Sequence, residues 1–118
     1  MSYDIYLKNP DTNEPIEFDE PHQLRGGTYC VGGTTEATLN VTYNYAKHYY
    51  RVLGDKGIRS IYGMTGRESI PVLATAIAAL GSDRSDDYWA ATEGNAKDAL
   101  VGLFTLASRL PDGVWDGD

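Results

Sequence analysis

A glycine pair stands on each side of the tetrapeptide TYCV in the segment RGGTYCVGGTTEA, residues 25–37, and this arrangement constrains the fold more than any other feature of the sequence. The tetrapeptide contains β-branched, aromatic and small apolar residues, which favour an extended strand. Each glycine pair permits a sharp change of chain direction. The sequence therefore predicts a strand at Thr28–Val31 and helical structure after the second pair.

Two more strands are expected before this segment. Apolar and polar residues alternate over Tyr3–Leu7, which is the two-residue period of a half-buried strand. The turn sequence NPDTNEP follows, and Ile16–Phe18 has the composition of a short return strand. Together with Thr28–Val31, these strands predict a small antiparallel β-meander within residues 1–33.

The helical pattern begins with a long segment at Thr35–Leu53. Its larger apolar side chains gather on one broad face at about 100° per residue, and Gly54 is a natural helix stop. The second helix is expected to begin at Ser69, because Pro71 is tolerated in the first turn of a helix. The capping-box sequence that begins at Thr65 is the alternative start.

A third main helix is expected after Thr92, with Asn95 at its third position as a reciprocal cap, and the sequence PDG at 111–113 ends it. A short helix at Asp86–Ala91 precedes it. These elements predict an α+β fold in which the N-terminal β-meander packs against three main α-helices. A chain of 118 residues is expected to form a single domain, 1–118, with the meander at 1–33 and the helical part at 34–118.

The charge of the chain limits its partners. Ten basic and seventeen acidic residues give a net charge of −7, which repels nucleic-acid backbones and anionic membranes, so neither is an expected partner. The single cysteine cannot form an internal disulfide, and the sequence shows no signal peptide or apolar stretch of membrane-spanning length. We therefore expect a cytoplasmic globular protein.

The segment Gly27–Thr34 follows the phosphate-binding pattern G-x-x-x-x-G-G-T, in which Gly33 stands where a nucleotide hydrolase has lysine. If Thr34, Thr35 and Glu36 form the first turn of the predicted helix, free backbone N–H groups and the positive end of the helix dipole favour an anion there. Gly32 and Gly33 would permit its close approach. Such a site binds a nucleotide-like anion without hydrolysing it. The alternative is that the glycines only release a strand into a helix.

Further candidate ligand contacts lie on the predicted first helix and in the glycine-rich loop that follows it. A polar stripe on the helix offers amides to base or ribose edges and cations to phosphate, a tyrosine beside it is suited to stack a base, and two loop arginines are suited to close over an anion. The alternatives are a solvated helix face and arginines paired with carboxylates. These candidates are Asn40, Tyr43, Asn44, Lys47, Arg51, Arg59 and Arg67.

The tyrosine content suggests an interface. Four of the nine tyrosines fall between residues 43 and 50, which is dense for core packing alone. Tyr45, Tyr49 and Trp115 are the predicted contact residues of a homo-oligomer, most simply a two-fold dimer. Packing of these side chains in the core is the alternative.

No catalytic residue, cofactor or metal site is expected. Cys30 with His22 or His48 is a poor candidate for a nucleophile and base, because a cysteine in a β-prone tetrapeptide is usually a small buried hydrophobe. One cysteine and two histidines also lack the paired spacing of a zinc site, and the acidic clusters lack the spacing of a calcium loop.

Two stretches of the sequence carry a family resemblance. The run DDYWAATEGNAKDAL followed by PDG resembles a segment of small proteins of tailed phages and prophages, and the N-terminal run from YDIYLKNP to IYGMTG is similar to the rest of one such family. The resemblance covers nearly the whole chain. It implies a phage origin and carries over no catalytic residue.

The leading hypothesis is a non-enzymatic phage protein that binds a small anionic ligand. Phages make small proteins that block host defence, some by sequestering nucleotide signals, and a tyrosine-rich protein with a glycine-rich segment is similar in kind. The alternative is a homo-oligomer or an antagonist of a host protein that acts through the tyrosine-rich helix or Trp115. An enzyme ranks third, because the candidate bases and nucleophiles are scattered.

Overall fold

The computed structural model of the chain describes residues 2–28, 33–87 and 90–118. It is an α+β fold, as the sequence predicts, with antiparallel strands near the N-terminus and three α-helices. The strands are β1 (Ser2–Lys8), β2 (Glu17–His22), β3 (Thr34–Glu36), β4 (Thr38–Thr42) and β5 (Val114–Gly117). The helices are α1 (Ala46–Leu53), α2 (Gly66–Ala79) and α3 (Glu93–Arg109), and Tyr43–Tyr45 and Gly57–Ile61 form 3₁₀ turns.

The main sheet has three strands in the order β4, β1, β5, and both pairings are antiparallel. Tyr3 lies opposite Val41 in β4, and Leu7 lies opposite Trp115 in β5. These side chains point to the same face of the sheet, because residues two apart along a strand share a face. That face is buried, whereas Asp4 on the other face is exposed.

A smaller antiparallel ribbon is formed by β2 and β3. It joins the main sheet through backbone hydrogen bonds, since Leu7 N donates to Ala37 O over 2.9 Å and Ala37 N donates to Ile16 O over 2.8 Å. Proline at position 21 and exposed acidic side chains on β2 protect the ribbon from pairing with another strand.

The hydrophobic core lies between the inner face of the main sheet and helices α2 and α3, which pack against each other. Its fully buried aliphatic side chains come from all three elements. They include Ile5, Leu7 and Val41 from the sheet, Leu73 from α2, and Leu100, Leu103 and Leu106 from α3. One continuous core therefore joins residues from both ends of the chain.

The predicted helix at Thr35–Leu53 is wrong over its first half. β3 and β4 occupy residues 34–36 and 38–42, and the α-helix begins only at Ala46. The reason is that Leu39 and Val41 alternate with polar residues and face the core beside β1, so a two-residue period replaces the helical one. The division into a meander at 1–33 and a helical part at 34–118 is wrong for the same reason, because three strands lie after residue 33.

The predicted meander is only partly right. The chain does return antiparallel after β1, since Lys8 bridges Pro15 and Ile16 N donates to Leu7 O over 3.0 Å. β2 itself does not pair with β1, however, and the strand partners of β1 are β4 and β5 from distant parts of the chain. In the third predicted strand, Thr28 is not in a strand, and residues 29–31 lie outside the described residues. Pairing between distant segments leaves no local sequence pattern that distinguishes it from a hairpin.

The helix ends follow the sequence signals in most cases. Thr65 is the N-cap of α2 and forms the capping box with Glu68, so Ser69 is not the cap, and Pro71 lies in the second helical turn. Thr92 caps α3, and α1 ends at Gly54. The short helix predicted at Asp86–Ala91 is not formed at residues 86, 87, 90 and 91. Residues 88 and 89 lie outside the described ranges.

Among the residues that the structure describes, no helix is long and apolar enough to cross a membrane.

Candidate functional site

The first glycine pair, not the second, brings a chain segment tightly against the main sheet. Gly26 O accepts a hydrogen bond from Thr42 N over 2.7 Å, and a Cβ atom at Gly26 would lie only 2.3 Å from Asn40 O. Gly27 has a φ of +82°, and a Cβ atom there would lie 2.3 Å from the Tyr45 hydroxyl. Only glycine fits these two positions without a shift of the backbone or of Tyr45.

Arg25, directly before this closely packed pair, lies between two cavities. One has a volume of about 130 Å³ and lies beside β3 and β4. The other has a volume of about 190 Å³ and lies beside the N-terminal part of α3. Arg25 lines both and is itself exposed.

Arg25 differs from the other five arginines of the chain. Arg51 and Arg84 form ion pairs with Glu93 and Asp98, and each remaining arginine has a carboxylate, carbonyl or aromatic-ring partner. No hydrogen bond or ion pair joins Arg25 to any residue of 2–28, 33–87 or 90–118. Its guanidinium donors are therefore open to a ligand.

Polar groups of the smaller cavity are mostly engaged with the protein. Thr28 Oγ1 donates to Asn40 O over 3.2 Å, and Thr38 Oγ1 donates to Ile5 O over 3.0 Å. Thr34 Oγ1 accepts a hydrogen bond from Glu36 N over 3.1 Å, which leaves its own O–H group to donate. The remaining lining residues are His22, Leu24, Arg25, Leu39 and Asn40.

The larger of these two cavities is lined by Arg25, Gly27, Tyr45, Asn95 and Asp98. Burial raises the pKa of Tyr45 to about 12, and the carboxylates Asp98 and Asp87 act in the same direction. Its hydroxyl is therefore protonated at neutral pH. Asp98 is paired with Arg84 at 2.7 Å, so this carboxylate does not neutralise Arg25 directly.

The second glycine pair does not form a helix start. Thr34 and Thr35 lie in β3, so no helix dipole points out of this segment, and Gly32 lies outside the described residues. Gly33 has a φ of +77°, and a Cβ atom there would lie 2.5 Å from His22 O. Glycine is thus required at this position by the β2–β3 connection. Thr34 still borders the smaller Arg25 cavity.

The predicted polar stripe is divided among three elements. Asn40 lies in β4, where Nδ2 donates to Asp4 Oδ1 over 2.5 Å, and Asn44 lies in the 3₁₀ turn. Lys47 and Arg51 lie one turn apart in α1, and Arg51 pairs with Glu93. Only Asn40 lines a cavity next to Arg25.

The tyrosine and the loop arginines predicted as ligand contacts have partners within the protein. Tyr43 packs edge-on against Tyr3 with ring centroids 4.4 Å apart. Arg59 Nε donates to Asp118 O over 2.8 Å, and its guanidinium lies 4.9 Å from the Tyr3 ring centroid. Arg67 pairs with Asp112 at 3.0 Å on the surface. None of the three lines a cavity beside Arg25.

The prediction that Tyr45, Tyr49 and Trp115 form an interface is wrong, because all three side chains are buried in the core. Tyr49 Oη donates to Ala96 O over 2.9 Å, which satisfies the hydroxyl inside the protein. Among the described residues, the exposed large hydrophobic side chains are Tyr50 and Val101. A homo-oligomer remains a prediction that requires other contact residues.

Both histidines bind backbone groups. His22 Nε2 donates to Glu36 O over 2.7 Å, and His48 Nε2 donates to Ala91 O over 2.9 Å. Cys30 lies outside the described residues. Within the described ranges, no three histidine, cysteine or carboxylate side chains come close enough together to hold a metal ion.

Sequence reasoning missed Arg25 as a candidate. The available signal was its position directly before the first glycine pair, because glycines that allow close backbone contact also fix the direction of their neighbours. The phosphate-loop pattern favours the second pair instead.

Comparisons of the chain with known protein families, with curated proteins and with solved structures found no match.

Proposed function

We propose that the chain binds a small anion, or the anionic group of a larger ligand, at Arg25. One observation carries the proposal: this guanidinium borders two cavities and has no partner among the described residues. Arginine suits phosphate and carboxylate because its planar N–H groups can bind two oxygens at once. The hydroxyl of Thr34 supplies a further donor on the smaller cavity.

The cavity volumes limit what enters. One water molecule occupies about 30 Å³ of liquid, so cavities of about 130 and 190 Å³ suit a phosphate or carboxylate group. Sites that enclose a whole drug-sized ligand usually measure about 300–1,000 Å³. A nucleotide-derived ligand would therefore place its phosphate at Arg25 and leave its base on the surface.

The proposal includes binding without cleavage. The net charge of −7 repels anions at long range, so affinity depends on the local field of Arg25. The phage origin predicted from the sequence resemblance would place the ligand in the host cytoplasm, where sequestration of a nucleotide signal is the proposed role.

Calorimetry with the full chain tests this proposal. The ligands are inorganic phosphate, acetate, a nucleoside monophosphate, a cyclic dinucleotide and ADP-ribose, with product analysis after each titration. We expect Arg25→Gln to weaken binding by about ten- to a hundredfold, because a hydrogen bond to a charged group contributes about 1.5–3 kcal/mol. Arg67→Gln, which removes the same charge at an exposed ion pair away from both cavities, is the matched control.

Three results would count against the proposal. Failure of every ligand to bind would leave Arg25 without an anionic partner. If Arg25→Gln and Arg67→Gln weakened ligand binding equally, the effect would come from the overall charge of the protein and not from a site at Arg25. Recovery of a cleaved nucleotide would favour an enzyme.

A further inference from the structure

Two larger cavities share Arg109 at the C-terminal end of α3. The first has a volume of about 430 Å³, and the second has a volume of about 410 Å³. Residues of the first cavity are Asn9, Pro10, Asp11, Ile16, Arg109, Leu110, Pro111, Asp112 and Gly113. Residues of the second are Glu17, Phe18, Asp19, Glu20 and Arg109. We call the two together the α3-end groove.

The first cavity of the α3-end groove has an apolar surface. Pro10, Ile16, Leu110 and Pro111 line it, and the last two follow directly after α3. The pyrrolidine rings and aliphatic side chains of these residues suit the hydrocarbon part of a long side chain. The volume of this cavity, about 430 Å³, lies in the range of about 300–1,000 Å³ that is usual for sites that bind an organic group.

Arg109 lies between the two cavities and is not paired with a carboxylate. Its guanidinium lies over the Phe18 ring, 3.9 Å from the centroid, and forms no ion pair with any described carboxylate. The cation is therefore held by the aromatic face, although acidic residues line the same cavity.

The remaining charge of the groove is negative. Five carboxylate residues line it, namely Asp11, Asp112, Glu17, Asp19 and Glu20, and among the described residues only Asp112 has an ion-pair partner, Arg67. The last carbonyl groups of α3 add partial negative charge at the same place. A cation with an apolar stem complements both the charge and the apolar surface.

We propose that the α3-end groove docks a basic, partly apolar peptide segment of a partner protein, with lysine or arginine side chains entering the cavities on each side of Arg109. Asn95 at the Arg25 site and Arg109 lie on the same helix, about 20 Å apart at about 1.5 Å per residue. The larger Arg25 cavity is therefore remote from the groove, whereas the smaller one lies next to it, because the His22 ring in that cavity is 6.0 Å from the Phe18 ring of the groove. Among the described residues, none lines both the groove and an Arg25 cavity, so docking here does not require anion binding at Arg25.

Fluorescence anisotropy with the full chain tests this inference. The probe is a labelled peptide of arginine and leucine residues, and its control has glutamine in place of each arginine. The combined variant Glu17→Gln, Asp19→Asn, Glu20→Gln removes three charges from the groove. Its matched control, Asp55→Asn, Asp83→Asn, Asp86→Asn, removes three charges from exposed positions outside the groove.

We expect the groove variant to weaken peptide binding by about tenfold, whereas the control variant changes it by less than about twofold. Arg109→Gln is expected to strengthen binding, because it removes the cation that repels a basic side chain, and Arg84→Gln outside the groove is its control. Circular dichroism of each variant confirms that the fold is retained.

Four results would overturn the inference. The first two are that the arginine peptide does not bind, or that the glutamine peptide binds equally well. The third is that the two triple variants weaken peptide binding equally. The fourth is that spermidine displaces the peptide as effectively as unlabelled peptide does. The last result would mean that the surface recognises diffuse positive charge and not a peptide.

Discussion

The indole Nε1 of Trp115 donates a 2.7 Å hydrogen bond to Oγ of Ser69 inside the core. Ser69 in turn donates to Gly66 O over 2.8 Å, so the serine hydroxyl links β5 to the first turn of α2. Both residues are buried, and no water can replace either partner without entering the core. This contact ties the C-terminal strand to the helical layer.

We expect Ser69→Ala to destabilise the protein by about 1–3 kcal/mol, because it leaves the buried indole N–H group without an acceptor. Urea unfolding measures the change. Ser108→Ala is the control, since the Ser108 hydroxyl is exposed and only bonds Phe104 O within its own helix. If the two variants lose equal stability, the Trp115 contact contributes nothing specific. In a double-mutant cycle, adding Trp115→Phe should cost less in the Ser69→Ala background than in the wild type.

The amide of Asn95 is expected to hold the segment before α3 in place. Its Nδ2 donates to Asp87 O and Ala90 O over 3.0 and 3.1 Å, and its Oδ1 accepts from Ser85 N over 3.3 Å. Asn95→Asp keeps the size of the side chain but turns a carboxylate toward two carbonyl oxygens.

We therefore expect Asn95→Asp to lower the free energy of unfolding by more than about 1 kcal/mol at neutral pH, and to do so less at acidic pH, where the introduced carboxyl is protonated. Chemical unfolding at the two pH values measures this. Asn9→Asp, at an exposed turn, is the matched control. A loss for Asn95→Asp that does not depend on pH would contradict the explanation.

Buried tyrosines predict a loss of stability at high pH. Burial raises the pKa of Tyr45 to about 12 and raises that of Tyr49 well above its usual value. A phenol whose pKa is higher in the folded state binds its proton more tightly there, so its stabilising effect is complete below about pH 10. We expect stability to fall as pH rises from about 10 through 12.

Ultraviolet absorbance of tyrosinate and circular dichroism, followed together, measure this titration. Tyr45 and Tyr49 are expected to ionise only as the protein unfolds, because both side chains are buried. Tyr49→Phe should remove absorbance from the phase that accompanies unfolding. A single ionisation step near pH 10 with no loss of secondary structure would show that the tyrosine hydroxyls are not shielded.

The sequence predicted the elements whose signals are local. β1 was recognisable from its two-residue period, and Thr92 from its capping position. The whole of β4 lies within the predicted helix, because Leu39 fits both a strand period and a helical face, and only its pairing with β1 decides between them. β5 has four residues, and nothing in so short a run indicates that Trp115 lies opposite Leu7.

The candidate site was less predictable than the fold. Thr34 and Asn40 do border a cavity next to Arg25, but the predicted cations Arg51, Arg59 and Arg67 have partners elsewhere in the protein. A cation without a partner is recognisable only when the positions of all its neighbours are known. For that reason, a charge pattern in the sequence could not distinguish Arg25 from the paired arginines.

Two glycines next to Arg25 and a third on another segment allow the effects of steric overlap and backbone conformation to be separated. A Cβ atom at Gly26 would overlap Asn40 O, although the φ of Gly26 is not positive. A Cβ atom at Gly63 would meet nothing within 4 Å, but this residue has a φ of +89°. Gly27 combines a steric overlap with a positive φ. We expect Gly63→Ala to cost about 1–2 kcal/mol from conformation alone. We expect Gly26→Ala to cost about 1–3 kcal/mol from overlap.

Gly27→Ala should then be the most destabilising of the three, because both effects act at one residue. It should also weaken anion binding at Arg25, since movement of Tyr45 or of the backbone changes the direction of the neighbouring guanidinium. Thermal unfolding and calorimetry with inorganic phosphate measure the two effects. Gly63→Ala should lose stability and keep its phosphate affinity, because it lies on another segment. Equal affinity in Gly27→Ala and Gly63→Ala, with both proteins folded, would show that the first glycine pair does not position Arg25.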